Sequence, residues 1–125
     1  MEQALAQAQL EPNRVGYINA HGTATILNDT AEGKAIMELF GEVPVSSTKS
    51  MMGHSLGAAG AIEAVVSLLA LQHQFLPPNI NFRESELHLN IVANKARDAQ
   101  FDCAISNSFG FGGTNATIVL RKLAR

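Results

Sequence analysis

An α/β fold is predicted by three features of the sequence. Short apolar and β-branched runs alternate with longer segments of helical spacing, in the order strand, helix, strand, helix, strand, strand. Each of the first two strand runs ends in a polar loop that leads into a helix. The last two runs flank a glycine-rich tip, Gly110 to Asn115, which predicts a hairpin. The chain has 125 residues, the size of one domain over 1–125, and 46% of them are hydrophobic, enough to form a core.

Glu2 to Gln9 joins helical spacing to strong helix formers, and Pro12 stops it. Val15 to Asn19 reads as a strand feeding His21-Gly22-Thr23. Asp29 or Thr30 is the expected cap of a helix reaching Phe40, with Ala35, Ile36, Leu39 and Phe40 as its apolar stripe and Gly41 as its end. Val43 to Ser47 is the next strand, followed by the loop Thr48 to His54. The helix from about Leu56 to His73 is apolar on nearly every face, which predicts burial on all sides, and Gly57 and Gly60 allow other backbone to approach it. Pro77-Pro78 closes this unit, and Asn79 to Arg97 reads as irregular. Phe101 to Ser106 and Thr117 to Lys122 are the expected hairpin strands.

Composition narrows the function classes. A net charge of −2 with no basic stripe offers nucleic acid no electrostatic footprint. The single cysteine, Cys103, excludes an internal disulfide and an all-cysteine metal site, and suits a reducing cytoplasm. The opening residues lack the apolar centre of an export signal. Ala58 to Leu71 is interrupted by Glu63 and Ser67 and falls short of the roughly 20 residues of a spanning helix. The expectation is a soluble, cytoplasmic protein with neither nucleic acid nor a membrane as partner.

Several polar residues sit where chemistry is usually done. His21 lies just past a strand, beside Gly22 and the hydroxyls of Thr23 and Thr25, and the ends of strands in open α/β sheets are where ligands bind. Position alone leaves a second reading open, in which His21 only bonds a loop. Lys49 and His54 share the loop SSTKSMMGHS between two apolar segments, which places both near the interior and requires the lysine to be paired. Two histidines on neighbouring loops can face one substrate, as hydrogen-bond donors or as bases near neutral pH. Zinc is disfavoured, because no His-x-x-x-His pair exists and Cys103 stands alone in a strand. Glu63 is a carboxylate inside an apolar run and must be paired, protonated or metal-bound. His73 and His88 read as surface groups, and Cys103 as a small core residue. GFGGTN lacks the ending of a phosphate loop and reads as a hinged loop in which Phe111 can swing.

Three motifs in order, NAHGTAT, SSTKSMMGHSLGAAGAIE and SNSFGFGGTNA, closely resemble the C-terminal signature of the elongating β-ketoacyl-acyl carrier protein synthases. The resemblance covers nearly the whole chain. It implies a thiolase-like C-terminal half-domain, a mixed sheet with helices on both faces, whose apolar helix belongs to a central helical layer. It implies a decarboxylating Claisen condensation of malonyl-acyl carrier protein with an acyl thioester, in fatty acid or polyketide biosynthesis. By motif, His21 and His54 correspond to the active-site histidines, which stabilise the enolate, and Lys49 to the active-site lysine. Thr23 and Thr25 correspond to residues that bond the phosphopantetheine arm, and Phe111 to a gating phenylalanine. Gly110 and Gly112, on either side of it, form the oxyanion-side loop. Asn19, Glu63, Ser106 and Asn107 correspond to a structural site for a monovalent or divalent cation in some members. No cofactor is implied as required, the substrate being carried on phosphopantetheine.

Two departures accompany the resemblance. The half that carries the nucleophilic cysteine is not among these residues, and Cys103 does not match its position. An early strand also falls outside the chain, which predicts an unprotected sheet edge. Ile26 stands where the family often has proline, so the loop after His21 is expected to be less stiff. The leading expectation is therefore a condensing-enzyme half, inactive alone, whose partners are acyl carrier protein and an N-terminal half or a second copy in a homo-oligomer. The alternative is a truncated, non-catalytic binding or assembly module.

Overall fold

The computed structural model describes residues 1–123. Helix α1 spans Glu2–Ala8 and ends at Gln9, whose left-handed φ of 53° turns the chain. A short turn over Pro12–Arg14 leads to strand β1, Tyr17–Asn19. Helix α2 spans Ile26–Phe40, strand β2 Pro44–Ser46, the one-turn helix α3 Lys49–Met52, and helix α4 Ala59–His73. Strands β3 (Phe75–Leu76), β4 (Asn90–Ile91), β5 (Arg97–Asp98), β6 (Cys103–Phe109) and β7 (Asn115–Arg121) follow.

The main sheet has five strands in the order β4-β2-β1-β6-β7. β4, β2, β1 and β6 are parallel, and β7 returns antiparallel to β6 across the glycine-rich tip. β3 and β5 form a separate antiparallel ribbon. Strand alternation sends neighbouring side chains to opposite faces. Ile18, Val45, Cys103 and Ile105 pack with Leu5 of α1 and Ile36 of α2 on one face. Tyr17 and Ala104 pack with Ala70 and Leu71 of α4 on the other. The mixed sheet with helices on both faces is therefore as expected.

Four expectations need correction. α2 begins one turn earlier than Asp29, at Ile26, with Thr25 as its cap residue in extended conformation. Ile26 is thus the first helical residue, the position at which proline's fixed φ is best tolerated. The segment expected to be irregular supplies β4, which pairs with β2 at the sheet edge, so the sheet is completed to five strands from within this chain. The two edges are β4, which bonds β2 alone, and β7, which bonds β6 alone.

The last two corrections concern α4. This helix is buried on one side only. Ala59, Glu63, Ser67, Ala70 and Leu71 are covered, whereas Val65, Leu68 and Leu69 remain 56, 49 and 44% exposed. Gly60 does meet a close neighbour, the Ser108 hydroxyl, but Gly57 faces open space. Leu56–His73, at 18 residues and a mean hydropathy of 1.4, is also long and apolar enough to cross a membrane by length and composition. Its buried stripe nevertheless carries a paired glutamate and a serine, and it lies on the sheet as a core helix does.

Candidate active site at the strand ends

β1 and β2 run side by side, and the loops leaving their C-terminal ends carry the two histidines. β1 continues through Ala20 to His21, which is buried. Gly22 then turns the chain with a φ of +43°. Its conformation and its surroundings both require glycine, since a Cβ there would lie 2.5 Å from Ser47 Cβ. Glu32 of α2 reaches back beneath this turn. Its carboxylate accepts the backbone N–H of His21 at 2.8 Å and of Gly22 at 3.0 Å.

β2 ends at Ser46; Ser47 and Thr48 follow, and α3 begins at Lys49. Lys49, the first residue of α3, is buried and pairs through its ammonium with the carboxylate of Glu63 on α4. The pairing demanded of both charges by their apolar setting is thus met within one contact. Gly53, with φ +74°, then swings the chain outward. His54 is consequently exposed, not interior as its flanking apolar segments suggested. Its Nδ1 accepts the Leu56 N–H at 3.1 Å, so the ring proton of the neutral form sits on Nε2. The two imidazoles meet edge to face, with centroids 5.7 Å apart and planes at 88°. Phe109 covers His21 from β6, at 5.6 Å.

Burial of His21 is the main cause that pushes its pKa below the ordinary value, and the charges of Lys49 and His54 push the same way; Asp29 opposes them. A neutral imidazole is therefore favoured near pH 7. Its Nδ1 is buried without a partner.

Beneath the histidines lies a polar layer on the α4 side of the sheet. The Asn19 amide donates to Thr48 Oγ1 at 3.1 Å, and the Ser67 hydroxyl donates to the Glu63 carbonyl at 2.8 Å. Ser106 is the register partner of Asn19 and so shares its side of the sheet. Glu63 Oε2 and Ser106 Oγ have no partner. Asn107, the fourth residue expected in a cation site, has its side chain on the opposite face. It donates to Glu32 at 3.0 Å and accepts from Thr117 at 2.8 Å, because successive strand residues point to opposite faces. The remaining set holds one carboxylate, already matched by the Lys49 ammonium. That suits a buried water and does not fit a divalent cation, which takes six or more oxygens at about 2.0–2.6 Å. Among the described residues no group of three or more His, Cys, Asp or Glu is placed to hold a metal.

Of the other expected site residues, Thr23 lines a cleft beside His54, while Thr25 and the Gly110–Gly112 tip are not part of its lining. Thr23 and Thr25 share a hydroxyl–hydroxyl bond of 3.0 Å at the surface. A cleft of about 650 Å³ opens here, lined by Gly22, Thr23, Lys49, His54 and Phe82 among others. Phe111 is fully exposed on the glycine-rich tip, with Gly110 before it and Gly112, at φ +71°, after it. Cys103 is buried in β6, and its burial raises the thiol pKa, as befits a core residue. His73 and His88 are exposed. Glu32 and Ser47 were not among the expected site residues. Glu32 is in phase with Ile36 and Leu39 on the apolar stripe of α2, and a carboxylate in that stripe was the available signal.

The sequence has relatives among known proteins. Residues 1–83 match the family model described as beta-ketoacyl synthase, C-terminal domain. The chain is 49% identical to 3-oxoacyl-[acyl-carrier-protein] synthase 2 of Coxiella burnetii, over 98% of this chain and 31% of that protein. A solved beta-ketoacyl synthase from Burkholderia phymatum superposes with a TM-score of 0.95 at 37% identity, over 99% of this chain and 31% of that one. A chain of the solved complex AntDE:AntF, a type II polyketide acyl-carrier protein with its ketosynthase, superposes with a TM-score of 0.92 at 37% identity, over 98% of this chain and 32% of that one. The chain spans about a third of the length of these relatives. Ordered motifs, a thiolase-like sheet and the paired histidine loops agree with these matches: the chain belongs to the β-ketoacyl synthase family, within its C-terminal domain.

Proposed function

We propose that this chain forms the histidine-bearing part of a β-ketoacyl-acyl carrier protein synthase that condenses malonyl-acyl carrier protein with an acyl thioester. The single observation that carries the reading is the edge-to-face pair of His21 and His54, with His54 Nδ1 tied to the Leu56 N–H. The tie leaves Nε2–H of His54 free to donate. In the proposed reaction the malonyl thioester oxygen sits against the imidazole donors. The bond to the carboxylate breaks, carbon dioxide leaves, and the electron pair moves into an enolate whose oxygen the donors stabilise. The carbanion carbon then attacks an acyl thioester held on a cysteine outside these residues, and the cysteine thiolate departs.

Lys49 orients the loop that carries His54, since it opens α3 and is anchored to Glu63. Thr23, at the cleft, and Thr25, bonded to it, bond the phosphopantetheine arm in this reading, and Phe111, flanked by Gly110 and Gly112, gates the acyl chain. Acyl carrier protein is the proposed carrier, supported by the relative solved in complex with one. A second copy or a related subunit is the proposed assembly partner, in line with a neighbour solved as a ketosynthase/chain length factor.

The test is carbon dioxide release from malonyl-acyl carrier protein by this chain within its full-length protein, or mixed with a separately supplied N-terminal half. His54→Ala is expected to lower the turnover roughly 100- to 1,000-fold, the usual loss when an oxyanion donor is removed. Turnover unchanged in both His21→Ala and His54→Ala would overturn the reading. Absence of any release from the complete protein would favour a non-catalytic binding module.

A further inference from the structure

We propose that Glu32 and Ser47 act together as positioning residues, gripping Gly22 by its N–H and its carbonyl so that the His21 ring stays against His54. The inference rests on the condensing-enzyme reading above for its effect on rate, though not for its geometry.

The Glu32 carboxylate is buried and faces four donors. They are the backbone N–H groups of His21 and Gly22, at 2.8 and 3.0 Å, and the side-chain amides of Asn107 and Asn28, at 3.0 and 3.4 Å. The side-chain amides also reach other acceptors, Asn28 the Asp29 carboxylate and Asn107 the Met1 sulfur, but the backbone N–H groups of His21 and Gly22 each take one Glu32 oxygen, so both carboxylate oxygens accept. An amide of the same shape would turn an NH₂ against a donor. A buried carboxylate persists only where hydrogen bonds replace its hydration. Here two of those bonds hold consecutive peptide groups of the loop that carries His21.

The opposite side of Gly22 is held by the other histidine loop. Ser47 Oγ donates to the Gly22 carbonyl at 2.9 Å. Ser47 is itself located by Asn79, whose Oδ1 accepts the Ser47 N–H at 3.0 Å. Ser47 lies two residues before Lys49 and opens the segment that ends at His54. The Ser47–Gly22 bond therefore ties the two histidine loops directly. The tie needs the close approach noted above, which only glycine at position 22 permits. Reacting groups displaced by about 1 Å can lose on the order of 100-fold in rate, so a clamp on the backbone of one histidine, anchored in the loop of the other, sets the rate without touching substrate.

The test uses the full-length protein with Ser47→Ala, Glu32→Gln and the double variant. Two quantities are measured: malonyl-acyl carrier protein decarboxylation, and amide hydrogen exchange at His21 and Gly22. Ser47→Ala is expected to lower kcat about tenfold with KM within about twofold, and Glu32→Gln by up to about 100-fold. The double variant is expected to be no slower than Glu32→Gln, because the loop is already released. Exchange at Gly22 should quicken in both single variants. Should Glu32→Gln not fold, Ser47→Ala, which removes one hydroxyl, still decides. Unchanged kcat and unchanged exchange in Ser47→Ala, or losses that multiply in the double variant, overturn the clamp. Full decarboxylation by both His21→Ala and His54→Ala would instead overturn the condensing reading, and the exchange rates alone would then judge the clamp.

Discussion

Removing one partner of the Lys49–Glu63 pair should be among the most damaging single substitutions in this chain. Both side chains are almost wholly excluded from solvent, 6 and 3% exposed. Glu63→Leu would strand a buried ammonium whose ion-pair partner among the described residues is Glu63. Breaking a buried pair in this way costs about 3–5 kcal/mol, against about 0–1 kcal/mol for a pair at the surface. A domain of this size has roughly 5–15 kcal/mol in total, so about a fifth of its stability or more is at stake. The assay is equilibrium urea unfolding, in which 3 kcal/mol moves the midpoint on the order of 1–2 M. Lys49→Met/Glu63→Leu should recover most of the loss, because it removes both desolvated charges together. Single variants that each cost under about 1 kcal/mol, or a double variant as unstable as the singles, would refute the argument. Either result would mean that the pair is hydrated and does not fix α3 onto α4.

Three further outcomes are expected. Tyr17→Phe should cost about 1–2 kcal/mol in the same assay, because the buried phenol bonds Ser46 Oγ at 2.8 Å and leaves that hydroxyl unpaired when it goes. Burial also raises the Tyr17 pKa, so its phenolate absorbance should not appear until after the exposed-tyrosine range has been passed, or until the protein unfolds. Cys103 should resist iodoacetamide in the native protein and react on unfolding, since burial raises its thiol pKa and hides the sulfur; fast native labelling would show that β6 opens. The His21 pKa is lowered on folding. Between that lowered value and the unfolded value of about 6.5 the unfolded chain binds the extra proton. The His21 contribution is therefore intact above about pH 6.5 and is lost as pH falls toward the folded value. The melting temperature of the wild type should drop over that interval more than that of His21→Gln, and parallel curves would refute it.

Much of the site could be read from residue order because its chemistry is local. His21 follows its strand by two residues and His54 lies in the loop that leaves the next strand, and the loop glycines stand beside them. The need for a partner at Lys49 and at Glu63 also follows from their apolar flanks, although nothing in the spacing pairs them with each other across α3 and α4. Helix boundaries were less legible. α2 starts at Ile26 because an extended Thr25 can precede a helix without lending it a side-chain cap, so the polar pair Asp29-Thr30 looked like the start. β4 escaped notice because two residues show no alternation, and a strand so short exists only through its pairing with β2.

By itself the sequence determined the α/β order, the family, the two histidine loops and the demand that the buried charges be neutralised, since each depends on residue type and on neighbours a few positions away. Tertiary structure alone decided which groups meet. It put Asn107 on the α2 face, away from Glu63, because strand residues alternate sides. It brought Glu32 and Ser47 to Gly22 from 10 and 25 positions away. It also left one face of α4 bare, which the helix's own composition did not reveal. The physical reason is that a side chain's type sets what it must satisfy, while the packing of sheet and helices sets what lies within the three or so ångströms at which it is satisfied.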